Sequence, residues 1–529
     1  MDWSWEFPYD AQRAPVMADG VVCTSQPLAA RAGLAAMESG GNAADAALAA
    51  AITLTVVEPV MNGLGSDVLA LISTNGRTYA LNGSGRAPAA WNRARFAGQD
   101  KMPTQGWDSV TVPGAVAAWA ELSDRFGQLP FEQLFVDAKR YAREGFIISP
   151  VIARQWANQV PRLIDQPGFA EAFVPDGLVP GVGERFRLPG LADSLARIAE
   201  TRGQALYHGP LAETLVAHAQ AHGGVMSVED LASHQSDWTD PVSLCYRTIT
   251  ISEMPPNAQG LAVLVALGIL QHFDLSSLPF MSVRRVHLQV EAMKIAFREV
   301  YASVADADVM TRQVDEFTSP AYLQALAGSI DPGHASPLQR PPSTSGGTVY
   351  VAAADREGMI VSFIQSNYQG FGSGIVVPGT GVSLHNRGAG FSLDPAHDNC
   401  VAGGKRPFHT ILPALLSRGG TVIGALGVVG ANMQPQGQVQ IISGLEDYGY
   451  NPQTAIDAPR WRIFENGTVT LEHTFGETFA QELMALGHKV ELRPRGDTEF
   501  GGAQLIHALD DGGYFGASDS RRDGAAYGY

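Results

Sequence analysis

The stretch Pro341-Pro342-Ser343-Thr344-Ser345-Gly346-Gly347-Thr348-Val349-Tyr350-Val351-Ala352-Ala353-Ala354 changes character across one peptide bond. Up to Gly347 it is proline, serine and glycine, a composition that resists regular structure, and Asp331 to Gly347 as a whole predicts an exposed, mobile tail. From Thr348 the side chains turn β-branched and apolar, and Thr348–Ala354 predicts a strand paired with Met359–Gln365 across a turn at Asp355–Gly358. A flexible Gly-Gly that runs straight into a buried strand headed by threonine is an uncommon junction. If the chain is cut there, the threonine gains a free α-amine beside its own hydroxyl, which is a base next to a nucleophile. Thr344 is the rival point of cleavage, disfavoured by its distance from the strand.

Outward from this junction the pattern is mixed. Pro27–Glu38 reads as a helix capped by Ser25 and stopped by Gly40-Gly41, and Asn42 caps a second helix from Ala43 to about Thr53. The alanines of that second helix let a neighbouring layer approach closely. Asp67–Ser73 and Thr78–Leu81 flank Asn75-Gly76 as a hairpin. Arg284–Val304 carries Val286, Val290, Met293, Phe297 and Val300 on one helical face. Strands at Thr410–Leu416, Thr421–Leu426, Lys489–Leu492 and Ala503–Ala508, with helices near Pro435–Asp447 and Glu477–Leu486, complete an α+β pattern.

The balance of 36 basic against 53 acidic residues leaves a charge of −17, which repels a phosphate backbone and argues against nucleic acid as a partner. The amino terminus has neither a basic start nor an apolar stretch of secretory length, and no segment has the uninterrupted apolar length of a membrane helix. A cytoplasmic enzyme without membrane attachment is the expectation. Cys23, Cys245 and Cys400 are few and scattered, so neither a disulfide framework nor a zinc site is expected, and Cys400 reads as a bystander. No metal or other cofactor is implied.

Several routes to amide hydrolysis are missing: there is no G-x-S-x-G elbow, no H-E-x-x-H and no P-loop. What is present is Gly40-Gly41-Asn42-Ala43-Ala44-Asp45-Ala46-Ala47, Val56-Val57-Glu58-Pro59 with Gly63-Leu64-Gly65-Ser66-Asp67, and Phe371-Gly372-Ser373-Gly374. Glu291-Ala292-Met293-Lys294, Lys405-Arg406-Pro407, Asp457-Ala458-Pro459-Arg460 and Gly516-Ala517-Ser518-Asp519 follow in order. Over nearly its whole length the chain resembles the γ-glutamyltransferase family of N-terminal-nucleophile hydrolases. That resemblance implies a four-layer αββα sandwich and a precursor that cuts itself at Gly347-Thr348. The products would be a large subunit (1–347) and a small subunit (348–529), intertwined as one domain and forming an αβ heterodimer, with further dimerisation left open. It also implies that Ser366 stands where a second hydroxyl residue supports the nucleophile Thr348. Gly430-Ala431 stands where a glycine pair supplies oxyanion N–H groups, a role alanine is expected to fill with a negative φ. Asn367 is a shifted substitute for an asparagine that normally follows, with Tyr368 beside it.

Other positions depart from the family pattern. In Leu384-His385-Asn386-Arg387-Gly388-Ala389-Gly390-Phe391, Gly390 replaces the aspartate that holds a substrate ammonium, and Asn386 and the cation Arg387 stand nearby. His409-Thr410 replaces a serine pair that binds a carboxylate, with His409 read as a polar wall residue rather than a general base. Arg86 directly precedes Ala87-Pro88, out of the family register, and is read either as a carboxylate clamp or as a surface arginine. The stretch Phe391–Lys405 is short for a lid and favours water as acceptor. The expected activity is hydrolysis of a small carboxylate-bearing amide of oxamate or glutaryl type, in the manner of the family's oxamate amidohydrolase branch. Two alternatives stand beside it: γ-glutamyl hydrolysis or transfer, and an unprocessed binding protein of the same fold.

Overall fold

The computed structural model describes Tyr9 and residues 13–339 and 346–529. Within them, two seven-stranded sheets are stacked face to face. Their strands, in chain order, are β1 (Val16–Ala18), β2 (Val21–Thr24), β3 (Asp67–Thr74), β4 (Arg77–Gly83), β5 (Asp237–Thr239), β6 (Val242–Tyr246) and β7 (Ile249–Glu253). After them come β8 (Gly347–Ala354), β9 (Ile360–Tyr368), β10 (Ala414–Arg418), β11 (Thr421–Val429), β12 (Gly502–Ala508), β13 (Tyr514–Ser518) and β14 (Ala525–Gly528). One sheet runs β14-β2-β8-β9-β3-β4-β5 and the other β1-β13-β12-β11-β10-β7-β6. Each sheet takes strands from both sides of residue 347.

Side-chain alternation assigns the layers, because successive residues of a strand face opposite ways. Along β8, Val349, Val351 and Ala353 join a core shared with the helices α1 (Pro27–Glu38), α2 (Ala43–Val57) and α3 (Pro150–Leu163). Tyr350, Ala352 and Ala354 instead join the core between the sheets, with Leu69, Ile364, Leu415, Ala425 and Ile506. A third core lies between the second sheet and α4 (Leu261–Leu270), α5 (Val283–Ser303) and α6 (Met433–Tyr448). Three cores between four layers make the expected αββα sandwich. Asn42 closes a capping box with Asp45, and every residue of α2 is buried, so its alanines bring the helix close onto β8.

Most boundaries fall within a few residues of expectation. Strand structure begins at Ala414 rather than Thr410, because Pro413 has no N–H to give to a ladder. The predicted mobile tail requires correction over Asp331–Gln339. Asp331 O lies 2.8 Å from His287 Nε2, Ser336 O accepts from Lys294 Nζ at 2.7 Å, and Ala335 N donates to Leu486 O at 2.7 Å. The segment is largely exposed but anchored. Thr344 lies outside the described residues.

Candidate active site

Thr348, Ser366 and Asp67 form one row across three adjacent strands: Thr348 pairs with Ser366, and Ser366 pairs with Asp67. Directly opposed residues share a face, so all three side chains point into the gap between the sheets. All three are essentially buried. Thr348 Oγ1 lies 3.1 Å from Ser366 Oγ, and Ser366 Oγ donates to Gly347 O at 2.6 Å. The Ser366 oxygen also accepts from Tyr368 N at 2.8 Å and from Arg387 Nη2 at 3.0 Å. Two N–H donors occupy its lone pairs, which commits its single proton to the carbonyl ahead of Thr348.

Arg387 is fully buried, stacks 4.4 Å from the centroid of the Tyr368 ring, and gives its other terminal nitrogen to Thr410 Oγ1 at 2.9 Å. Burial lowers its pKa to about 10, with Asp67 pulling the other way, so it stays cationic at neutral pH. Its terminal nitrogens hold the hydroxyls of Ser366 and Thr410, while Nε, among the described residues, has no hydrogen-bond partner. Asp67 Oδ1 accepts from Gly85 N at 3.1 Å and Gly114 N at 3.2 Å, while His409 Nε2 lies 3.2 Å from Oδ2 and His385 Nε2 lies 3.4 Å from Oδ1. Burial alone would raise the Asp67 carboxyl, but contact with His385 and His409 holds it well below the usual carboxylate range. Burial, reinforced by Arg387, pushes His409 down to about 3. His409 is therefore neutral, with Nδ1 accepting from Ile411 N at 3.4 Å and Nε2–H directed at Asp67. Both ring nitrogens of His409, expected at the substrate or in the wall of its pocket, are thus engaged by protein groups.

Other expected residues part company with this group. Asn367 has the opposite parity to Ser366. It points with Gln365 toward the helical layer, where its Oδ1 accepts from Ser66 Oγ at 2.8 Å, and so it does not substitute at the site. Asn386 is consumed by the loop, accepting from Gln369 N at 3.1 Å and donating to Thr104 O at 2.8 Å. Arg86, expected as a carboxylate clamp or a surface arginine, is about one-third exposed and ion-paired to Asp306 at 3.3 Å and Asp237 at 3.4 Å. The turn Gly430-Ala431 leads from β11 into α6, with φ of 122° and 52°. Alanine here is left-handed, contrary to the expected negative φ. Gln259 helps hold the turn by donating to Ala431 O at 3.3 Å. A Cβ built on Gly346 would stand 2.7 Å from Ala431 N and 2.6 Å from Ala431 Cβ, so the backbone just ahead of Thr348 lies directly on this turn.

Asp67 and His385 carry roles that sequence reasoning did not assign, although both sit within the quoted motifs. The available signal was an aspartate heading an otherwise apolar strand. Away from the site, His287, Glu291 and His488 bring ligand atoms within 4.8 Å of one another. His287 Nδ1 and His488 Nε2 are 2.8 Å apart, and the Lys294 ammonium is 2.8 Å from Glu291 Oε1. These are the spacings of a hydrogen-bond network, and that network pins the Asp331–Ser336 segment.

A threonine heading a buried strand of an αββα sandwich, with a serine aimed at the carbonyl before it, defines an N-terminal-nucleophile hydrolase. The model of the gamma-glutamyltranspeptidase family matches residues 29–529, and the chain belongs to that family of self-processing hydrolases. It is 37% identical over 518 residues to the glutathione hydrolase-like YwrD proenzyme of Bacillus subtilis, covering 96% of this chain and 98% of the relative. It is 36% identical to the oxamate amidohydrolase proenzyme of Klebsiella pneumoniae, covering 97% and 99%. The crystal structure of cephalosporin acylase from Bacillus halodurans superposes with a TM-score of 0.93 at 41% identity, covering 100% of this chain and 99% of the other. Among the described residues no helix is long and apolar enough to cross a membrane.

Proposed function

We propose that the chain cleaves itself between Gly347 and Thr348 and that the freed Thr348 hydrolyses small amides whose acyl group bears a carboxylate, of oxamate or glutaryl type. The observation that carries this reading is the Thr348–Ser366–Gly347 contact set. In the precursor, Thr348 Oγ1 attacks the Gly347 carbonyl carbon, the C–N bond breaks, and the hydroxyl proton moves to the departing amine. Ser366 Oγ, held 2.6 Å from Gly347 O, stabilises the oxyanion. Water then hydrolyses the ester, leaving a Gly347 carboxylate on the 1–347 subunit and a free hydroxyl and amine on the 348–529 subunit. In turnover the amine serves as base, Thr348 carries the acyl group, and the N–H groups of Gly430 and Ala431 face the oxyanion.

The acyl preference is supported by what surrounds Gly390. A cavity of about 290 Å³ is lined by Tyr301, Val304, Gly390, Phe391, Ser392, His397, Asn399 and Phe408, a set without aspartate or glutamate. A Cβ on Gly390 would stand 2.5 Å from Phe408 O, so the position has no room for an acidic side chain. An α-ammonium group therefore finds no counter-charge there. The likeness to an oxamate amidohydrolase and to a cephalosporin acylase points the same way. The likeness to a glutathione hydrolase-like protein favours γ-glutamyl hydrolysis as the second reading. Oxamate, glutaryl-anilide and γ-glutamyl-anilide, assayed side by side with Thr348→Ala as control, decide between them. Faster turnover of the γ-glutamyl compound overturns the carboxylate preference. A single unprocessed band on a denaturing gel, with no turnover, restores the binding-protein alternative.

A further inference from the structure

A second, more polar cavity of about 100 Å³ opens beside Gly430, lined by Gly430, Gly346 and Gly370 together with Gln155, Arg462, Glu499 and Arg522. Its volume suits a small acid rather than a peptide. Arg522 is 6% exposed and lies along Gly502, where a Cβ would approach its Cγ to 2.3 Å. One terminal nitrogen donates to Thr498 O at 3.0 Å. Among the described residues, Nε and the other terminal nitrogen, Nη1, have no hydrogen-bond partner, with the buried Glu58 carboxyl foremost among the charges acting on the guanidinium, and neither amide atom of buried Gln155 has a hydrogen-bond partner. Glu499, the acid on this wall, is already engaged by Arg462. Leaving such groups unsatisfied in a folded interior is costly, and a guanidinium beside an amide is suited to a carboxylate.

We infer that Arg522, assisted by Gln155, binds a carboxylate of the substrate beside Gly430. The inference rests on the reading of Thr348 as nucleophile for its place in turnover, but the binding step can be measured without turnover. Arg86 is ion-paired to Asp237 and Asp306, and both terminal nitrogens of Arg387 are taken by Thr410 and Ser366, which leaves only its Nε without a partner. The carboxylate comes either from the acyl group or from the amine half of the amide.

Binding of glutarate to the processed protein is measured by calorimetry, with glutaramide as the uncharged control, in the wild type, Arg522→Gln and Gln155→Ala. The expected result is a loss of about 10- to 100-fold in glutarate affinity for Arg522→Gln, on the scale of a charged hydrogen-bonded pair. A smaller loss is expected for Gln155→Ala. Unchanged glutarate affinity in Arg522→Gln overturns the inference, whatever the turnover. If Arg522→Gln fails to process, Gln155→Ala and Arg522→Lys carry the comparison, and unchanged affinity in both overturns it equally. Kinetics on four amides, with and without a carboxylate on each half, then assign the source through the half whose carboxylate raises the KM penalty of Arg522→Gln. An equal penalty on all four, including the doubly neutral amide, overturns substrate recognition by Arg522. Wild-type protein inactive on all four, yet binding glutarate through Arg522, defeats the catalytic reading and leaves the anion site standing.

Discussion

Ser366 has one proton to give and four polar neighbours within 3.1 Å, and two of those neighbours are N–H donors that can only give. Ser366→Ala removes the donor to Gly347 O, and self-cleavage is expected to slow by about 10²- to 10³-fold, the usual effect of removing one oxyanion donor. A time course on denaturing gels reads this out, and Ser366→Thr should restore the rate. Thr348→Ala should abolish both cleavage and turnover, with activity falling by about 10⁴-fold or more. The turn opposite gives a sharper contrast. Ala431 holds a left-handed φ of 52°, which costs a non-glycine residue roughly 1–2 kcal/mol. Glycine relieves that strain but loses roughly 0.5–1 kcal/mol through its looser unfolded chain, so Ala431→Gly should sit near neutral or slightly above wild type in urea unfolding. Ala431→Val adds a branched side chain at positive φ against Gly346 and should both destabilise the protein and stall cleavage. The pairing of Thr348 with Ser366 and the turn at Gly430-Ala431 were legible in the sequence because each belongs to a local motif. The roles of Asn367, Arg86 and Arg387 were not, because they depend on strand parity and on charged partners far away in the chain.

At the scale of elements, β3, β8 and β9 place an anion, a hydroxyl pair and the carbonyl ahead of Thr348 in one row, and the segment before β10 sets His409 against the end of that row. A buried imidazole with a pKa of about 3 binds its proton far less readily in the fold than in the unfolded chain, where His titrates near 6.5. As pH falls from about 6.5 toward 3, the unfolded state gains the proton first, so this group lowers folded stability throughout that window and is silent above it. His409→Gln keeps an N–H for Asp67 without the titration. Its urea midpoint should therefore fall less steeply than the wild type's between pH 6.5 and 4, and parallel slopes would refute the assignment. Alternation and helical spacing made β3, β8, β9, α1, α2 and α5 readable. Helix α4 was not read, because its ten residues are all buried and an apolar run on every side has no periodicity to mark it.

For the molecule as a whole, the decisive feature is that the proposed cut does not divide the fold. β8 and β9, from the carboxy-terminal side, lie between β2 and β3, from the amino-terminal side, while β6, β7 and β1 flank strands of the other half in the second sheet. Separating the pieces would break the β2–β8 and β9–β3 ladders in one sheet and the β7–β10 and β1–β13 ladders in the other. It would also expose the core between the sheets, to which both pieces contribute. Burial on that scale resembles a domain interior rather than a docking surface. The cleaved protein should therefore elute as one species in size-exclusion chromatography without denaturant, while a denaturing gel of the same fractions shows two fragments. Unfolding of the cleaved form in urea should remain a single transition seen alike by circular dichroism and tryptophan fluorescence, because neither fragment retains a complete sheet. Fragments that part under native conditions, or two resolved transitions, would mean that the interleaved sheets do not hold the mature enzyme together.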